Sequence, residues 1–300
     1  MLKASKSSSA PIYLRLMGGL GNQLFQYAAG RSLADTLGVE LVIDDRYLVR
    51  KFQHTGLAID AFNIRARLME EGEKNLFSET KVRFSRWLKR ALRPLANVFW
   101  ETQFNYDHSL KRLNGGCLLS GFWQSERYIN DAPQIRLDLT LKNCLGPGAL
   151  KAKNDIISCE SVAVHVRRGD YLQNQKTIER YGVCGESYYQ NAINKILTLH
   201  PKSRFFIFSD DTNWVRSHLT LPSDSAFVSA SNISAVEDLV LMSQCKHQII
   251  ANSTFSWWGA WLNNHQQKIV IAPTPWFDDS GIASEDLIPK GWHQLNKANN

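Results

Sequence analysis

Val162-Ala163-Val164-His165-Val166-Arg167-Arg168-Gly169-Asp170-Tyr171 is a β-branched run that ends in one imidazole and two guanidiniums. It reads as a buried strand, and in an open α/β sheet the carboxyl end of such a strand is where ligands bind. Neighbouring residues on a strand face opposite ways, so Arg167 and Arg168 diverge while Arg167 shares a face with His165. A guanidinium stays charged at any working pH and offers a rigid fork of donors, which suits a phosphate or pyrophosphate. Arg167 is therefore the first candidate for an anion site. The plain alternative is a strand end carrying solvated arginines.

Downstream of this run the pattern alternates. A helix is expected from about Ser187 to Leu199, strands at Arg204–Phe208 and Ala226–Val228, a helix at Ala235–Ser243 with Ser234 and Glu237 as a capping box, a strand at Gln248–Ala251, a helix at Phe255–Leu262 and a strand at Lys268–Ile271. Upstream, Ile12–Leu16 reads as a strand that runs into Gly18-Gly19-Leu20-Gly21. From Asn22 apolar residues recur at helical spacing as far as Gly38, a C-terminal stop, and Val39–Ile43 reads as the next strand. Strand, glycine turn, helix and strand open a doubly wound sheet. The fold class is thus α/β with two Rossmann-type domains, and 300 residues agree with two domains of about 150 each. We place them at residues 1–155 and 156–300, with Leu145-Gly146-Pro147-Gly148 as the linker candidate. Residues 64 to 95 read as helical and basic, and Arg83 to Arg93 present either a solvated face or a surface for an anionic membrane.

A formal charge of +7 points to an acidic partner. The basic residues form no continuous stripe, which argues against nucleic acid. Five cysteines without a Cys-x-x-Cys pair fit reduced thiols in a cytosol. The first ten residues hold two lysines and a serine run but no apolar core, so a cytoplasmic protein, peripheral to a membrane at most, is expected.

Two further strand ends carry chemistry. Ser209-Asp210-Asp211 offers carboxylates for ribose hydroxyls or a guanine edge, or else an N-cap for the helix through Trp214. Asn252-Ser253-Thr254-Phe255-Ser256-Trp257-Trp258-Gly259 joins a strand to a helix, and a mere N-cap explains one hydroxyl but not three beside an amide. In the glycine turn, Leu24 stands where a dinucleotide fingerprint wants glycine, although Asp44 or Asp45 could mimic its ribose-binding acid. The chain has no Asp-x-Asp, no His-x-x-x-His and no Gly-Lys-Ser/Thr, so arginine and backbone amides rather than a metal would neutralise a pyrophosphate. No Gly-x-Ser-x-Gly elbow supports a serine hydrolase.

Gly18 to Tyr27, His165 to Tyr171, Phe208 to Asp211 and Asn252 to Gly259, taken together and in order, resemble the α-1,2-fucosyltransferases of glycosyltransferase family 11, particularly the soluble bacterial members. The resemblance implies a GT-B-like pair of facing Rossmann domains, with the acceptor side first and the GDP-fucose side second. It implies inverting transfer of fucose to the 2-hydroxyl of a terminal galactose on a surface glycan such as lipopolysaccharide, without a metal or other cofactor. On that resemblance Arg167 meets the donor β-phosphate with His165 and Arg168 beside it, and Gly19, Gly21, Asn22 and Gln23 line the glycine loop near the donor. Asp210 contacts the nucleoside, while Asn252, Ser253, Thr254 and Ser256 form the phosphate motif. Asp170 is the nominee for the base that takes the acceptor's proton, with Glu186 as a second. Another sugar-nucleotide transferase and a nonenzymatic nucleotide- or glycan-binding module are the alternatives.

Overall fold

The computed structural model describes residues 10–51, 56–77, 97–172, 174–229 and 232–297. The chain divides into two compact units, one made of residues up to Lys142 with Glu285–Leu287, the other of Asn143–Ser284 with Ile288 onward.

In the first unit, β1 (Ile12–Arg15) leads through the glycine turn into α1 (Leu20–Leu37), then β2 (Leu41–Asp44) and a short α2 (Arg46–Lys51). The strands β3 (Arg67–Leu68), β4 (Val98–Trp100) and β5 (Leu118–Ser120) follow, then α3 (Ala132–Asp138). The sheet order is β3-β2-β1-β5-β4, all neighbours parallel. Gly38 ends α1 as expected: at φ 67° it is left-handed, and its N–H reaches the Ala34 and Asp35 carbonyls. The helix begins at Leu20 rather than Asn22, because Gly19 is the extended N-cap. Residues 64 to 77 hold no α-helix, only a 3-10 turn at Glu73–Leu76. There Arg67 and Leu68 pair with Val42 and Ile43 at the sheet edge, and Arg67 is gripped by Glu73 at 2.6 Å and Glu40 at 3.0 Å. The basic stretch from Arg83 to Arg93 lies outside the described residues.

The second unit starts with α4 (Pro147–Ile157) and β6 (Glu160–Val166), the strand quoted first. Leu145-Gly146-Pro147-Gly148 is not a bare linker: Gly146 is the N-cap of α4 and Pro147 its first residue. Ala149 and Ile156 of that helix enter the same core as Ala163, Phe206 and Phe208, so the division falls at Lys142, ahead of the expected 155. Then come α5 (Gly169–Leu172), α6 (Gln175–Tyr181), α7 (Glu186–Leu199), β7 (Ser203–Ser209), α8 (Thr212–His218), β8 (Ala226–Phe227), α9 (Ala235–Gln244), β9 (His247–Ile249), α10 (Thr254–Leu262), β10 (Val270–Thr274) and β11 (His293–Asn296). The order β11-β10-β9-β6-β7-β8 is again parallel throughout. Val162, Val164 and Val166 enter one core and Ala163 the other, so β6 is buried on both faces, as its unbroken apolar run requires. The Ser234–Glu237 capping box on α9 is formed, and Glu237 also accepts the Gly146 N–H at 2.8 Å.

Candidate active site

The chain reverses direction once in the second sheet. In the second unit the chain runs outward from β6 to β7 and β8 and returns on the far side of β6 as β9. The β6/β9 gap is therefore the topological switch point, where loops leave in opposite directions and open a crevice. Two of the three quoted strand-end motifs follow β6 and β9, and the third follows β7. The Tyr171 hydroxyl ties two of them together by donating to the Asn252 carbonyl at 3.2 Å.

At the end of β6, His165 is almost fully buried and its ring lies 5.5 Å from that of Phe255. Burial, reinforced by the Arg167 charge, pushes it down to about 3, so the imidazole is neutral at ordinary pH. Its Nδ1 has no hydrogen-bond partner among the described residues. Arg167 is half-exposed, with Nε 3.3 Å from an Asp210 oxygen. Arg168, like Arg167 just past the end of β6 at Val166, has its own partners: its guanidinium stacks 4.0 Å from the Trp214 ring, with Asp211 at 3.9 Å. Asp170 follows Gly169 in α5, and Glu186 is an exposed residue of the first turn of α7.

The two aspartates after β7 divide their work. Asp211 caps α8 by accepting the Trp214 N–H at 3.0 Å. Asp210 reaches across to the β6 loop and accepts N–H from Arg168 at 2.9 Å and Gly169 at 3.2 Å.

After β9 the hydroxyl-rich motif is used mostly for its own support. Asn252 donates to the carbonyls of Tyr181, Gly182 and Trp276 at 2.7, 3.2 and 3.2 Å. Ser253 caps α10, and Ser256 folds back onto the Ala251 and Ser253 carbonyls. Thr254, half-buried at the first position of α10, keeps its hydroxyl clear of internal bonds among the described residues. It sits where the helix start leaves amide donors for an anion.

The glycine-loop candidates belong to the first unit, at its own switch point between β1 and β5. Gly19 and Gly21 stand at the start of α1. Gly18 is left-handed at φ 76°, and a Cβ there would lie 2.6 Å from Asn22 Nδ2, so glycine is required. Asn22 Oδ1 accepts from Gln124 Nε2 at 3.0 Å, which joins the loops after β1 and β5. Gln23 is fully buried and spends its amide on the chain itself, donating to Gly18 and Gly56 and accepting from Ile59 N. Asp44 is no ribose ligand, since Arg15 and Arg46 bracket its buried carboxylate at 3.2 and 2.7 Å.

The chain is similar to known proteins over most of its length. Residues 4–296 match the family model described as Glycosyl transferase family 11. The chain belongs to that family. It is 34% identical over 95% of its length to the α-1,2-colitosyltransferase of Escherichia coli, 99% of which is matched. It is also 34% identical over 95% of its length to the O-antigen biosynthesis glycosyltransferase WbnK of the same species, matched over its full length. Galactoside α-(1,2)-fucosyltransferase 1 of Ateles belzebuth is 28% identical over 82% of this chain and 63% of its own. Among solved structures, the fucosyltransferase NodZ from Bradyrhizobium superposes with TM-score 0.51 at 18% identity, covering 85% of this chain and 92% of that one. FUT1 of Arabidopsis thaliana, solved with GDP, gives 0.52 at 10% identity, covering 90% and 71%. The fold is GT-B-like, built from two Rossmann-like units.

For this family 11 glycosyltransferase, two features of the second unit escaped sequence reading. Lys297 follows β11, almost fully buried, and its Nζ donates to the Tyr181 and Trp276 carbonyls and pairs with Asp278 at 2.9 Å. It props two of the carbonyls that Asn252 holds, and no local pattern marked it. The other is a cluster at the opposite end of the sheet, where ligand atoms of Glu160, His200 and His247 lie within 4.8 Å of one another. His247 Nδ1 accepts the Ile269 N–H at 3.0 Å, so its ring proton sits on Nε2 and points at Glu160, 2.9 Å away. Lys246 holds the other Glu160 oxygen at 2.7 Å. A ring with one nitrogen accepting and the other protonated has no lone pair for a cation, so the residues do not fit a metal site. No helix among the described residues is long and apolar enough to cross a membrane.

Proposed function

We propose that this family 11 glycosyltransferase moves L-fucose from GDP-fucose to the 2-hydroxyl of a terminal galactose on a surface glycan, with inversion and without a metal. The observation that supports the reading is that Arg167 follows β6 while Thr254 and the start of α10 follow β9, the two strands that flank the switch point, so a guanidinium and helix-start amides are both available there for a diphosphate. As the bond from C1 to the phosphate oxygen breaks, charge grows on the β-phosphate. Arg167 stabilises that charge more than it stabilises the ground state, and this difference is what accelerates transfer. The acceptor oxygen attacks the opposite face of C1, and its proton passes to a carboxylate, which we assign to Asp170. The neutral His165, whose Nδ1 has no hydrogen-bond partner among the described residues, completes the polar lining beside Arg167. Any contact with an anionic membrane face belongs to the basic stretch from Arg83 to Arg93.

A second donor is favoured by one finding, the 34% identity to a colitosyltransferase. Colitose is the 3-deoxy counterpart of fucose, so the same diphosphate chemistry serves both. A panel of GDP-fucose, GDP-colitose, GDP-mannose and UDP-galactose with a galactose-terminated acceptor, each run with and without EDTA, decides the matter. We expect turnover with a GDP-linked 6-deoxy sugar, unchanged by EDTA, and a 2-linked product of inverted configuration by NMR. Turnover that collapses with EDTA and returns with magnesium would overturn the metal-free reading. Turnover confined to GDP-colitose would replace fucose by colitose as the donor.

A further inference from the structure

The aspartate after β7 is bonded to the neighbouring loop. Both Asp210 oxygens are turned toward the loop after β6: Oδ1 accepts the Arg168 N–H at 2.9 Å, and Oδ2 accepts the Gly169 N–H at 3.2 Å while lying 3.3 Å from Arg167 Nε. The fit is close, since a Cβ on residue 169 would stand 3.1 Å from Oδ2. Asp211 takes the helix-capping duty that competes for such a side chain, so Asp210 is left for the loop. We propose that Asp210 is a positioning residue: it holds the β6 turn and the Arg167 side chain by Nε, and so fixes the direction in which the Nη edge of the guanidinium meets the donor's β-phosphate.

The inference rests on the reading that Arg167 serves a nucleoside diphosphate. A carboxylate beside a phosphate-binding arginine lowers its raw attraction for an anion, so what it contributes must be geometry. A ligand to ribose or guanine acts instead on the nucleoside, whatever phosphates follow it. GDP and GMP differ by the β-phosphate alone, and they separate the two roles.

The test measures GDP, GMP and guanosine binding by calorimetry on the full chain, with kcat and KM for the GDP-sugar. The proteins are wild type, Asp210→Asn, Arg167→Lys and the double variant, each checked for fold by its thermal transition. Asp210→Asn keeps one acceptor oxygen for the loop and removes the charge and the second acceptor. We expect it to weaken GDP by about tenfold or more while GMP and guanosine change less than about twofold, and to lower kcat more than it raises KM. In the Arg167→Lys background it should add little, because residues acting as one unit are not additive. Equal losses for GDP, GMP and guanosine would overturn the proposal in favour of a nucleoside ligand, and additive losses in kcat would overturn it too. Should Asp210→Asn not fold, Asp210→Glu serves. It keeps the charge at a longer reach, and full GDP affinity with wild-type kcat in that variant would count against a fixed geometry. Wild-type protein that binds GDP no better than GMP would instead defeat the donor reading on which the proposal stands.

Discussion

Arg167 supplies two separable things, a positive charge and a planar fork. Arg167→Lys keeps the first and loses the second, while Arg167→Ala loses both. Removing a donor that meets transition-state charge costs about 10² to 10³ in rate, and lysine restores little where bidentate geometry matters. Both variants should fold with near-normal melting temperature, because the side chain is half-exposed and outside either core. Assay of kcat with the GDP-sugar checks this, and near-full turnover in Arg167→Ala would remove Arg167 from the mechanism. The arginine pair was legible from sequence as the charged end of a buried strand, although β6 stops at Val166 and both arginines lie just past it, so strand alternation does not set their directions. The partners that decide what each does were not legible: Trp214 and Asp211 for Arg168, Asp210 for Arg167, all placed by the pairing of β6 with β7.

At the scale of elements, the motif after β9 shows why three hydroxyls and an amide sit together. Asn252 carries three carbonyls from two separate segments, and two of these are also met by Lys297 from the end of the sheet. Leaving a buried acceptor unpaired costs about 1–3 kcal/mol, so Asn252→Ala should lower the melting temperature clearly, with GDP affinity changed less than stability. Thermal denaturation with and without GDP measures both. An unchanged transition would mean that Lys297 suffices for the Tyr181 and Trp276 carbonyls and that the Gly182 carbonyl needs no partner from Asn252. Elements with a strong local period, α1, α7, α9 and α10 with the strands beside them, were legible to within a few residues. Those whose definition is non-local were not. β3 is two residues held by β2 and by the Arg67–Glu73 pair, and β11 exists because it adds to the edge of β10. Pro147 read as a turn because a proline at a helix start and one in a loop look alike until the helix packs.

Over the whole molecule, carboxylates set how the two units answer to acid. Burial alone would raise Asp44 and Asp286. The Arg46 bond and the charges of Arg15 and Arg46 hold Asp44 below its ordinary value, and the Tyr106 N–H with Arg127 does the same for Asp286. The Arg67 hydrogen bond holds Glu73 at about 2, and Asp35 is lowered against its burial by Arg65 and Arg31. All four belong to the first unit. A carboxylate depressed in the folded state adds stability that is present above its unfolded value, about 4, and is lost as pH falls toward the folded one. Two groups run the other way. Burial raises Glu101 in the first unit to about 7 and Asp238 in the second to about 6, so each unit gains from these as pH falls below those values. His165, held near 3 by burial, and His247, also lowered chiefly by burial, offset that gain in the second unit, because the unfolded chain takes up their protons first. Calorimetry from pH 7 to pH 3 should therefore show little net change down to about pH 5. Below about pH 4 the first unit should lose stability faster than the second, whose lowered carboxylates are Glu160 and Glu237. Six of the nine tryptophans, Trp214, Trp257, Trp258, Trp261, Trp276 and Trp292, belong to the second unit, so near-ultraviolet circular dichroism should persist through the first loss. Loss of that signal ahead of the main drop in secondary structure would show that the histidines, not the arginine-paired carboxylates, govern acid sensitivity.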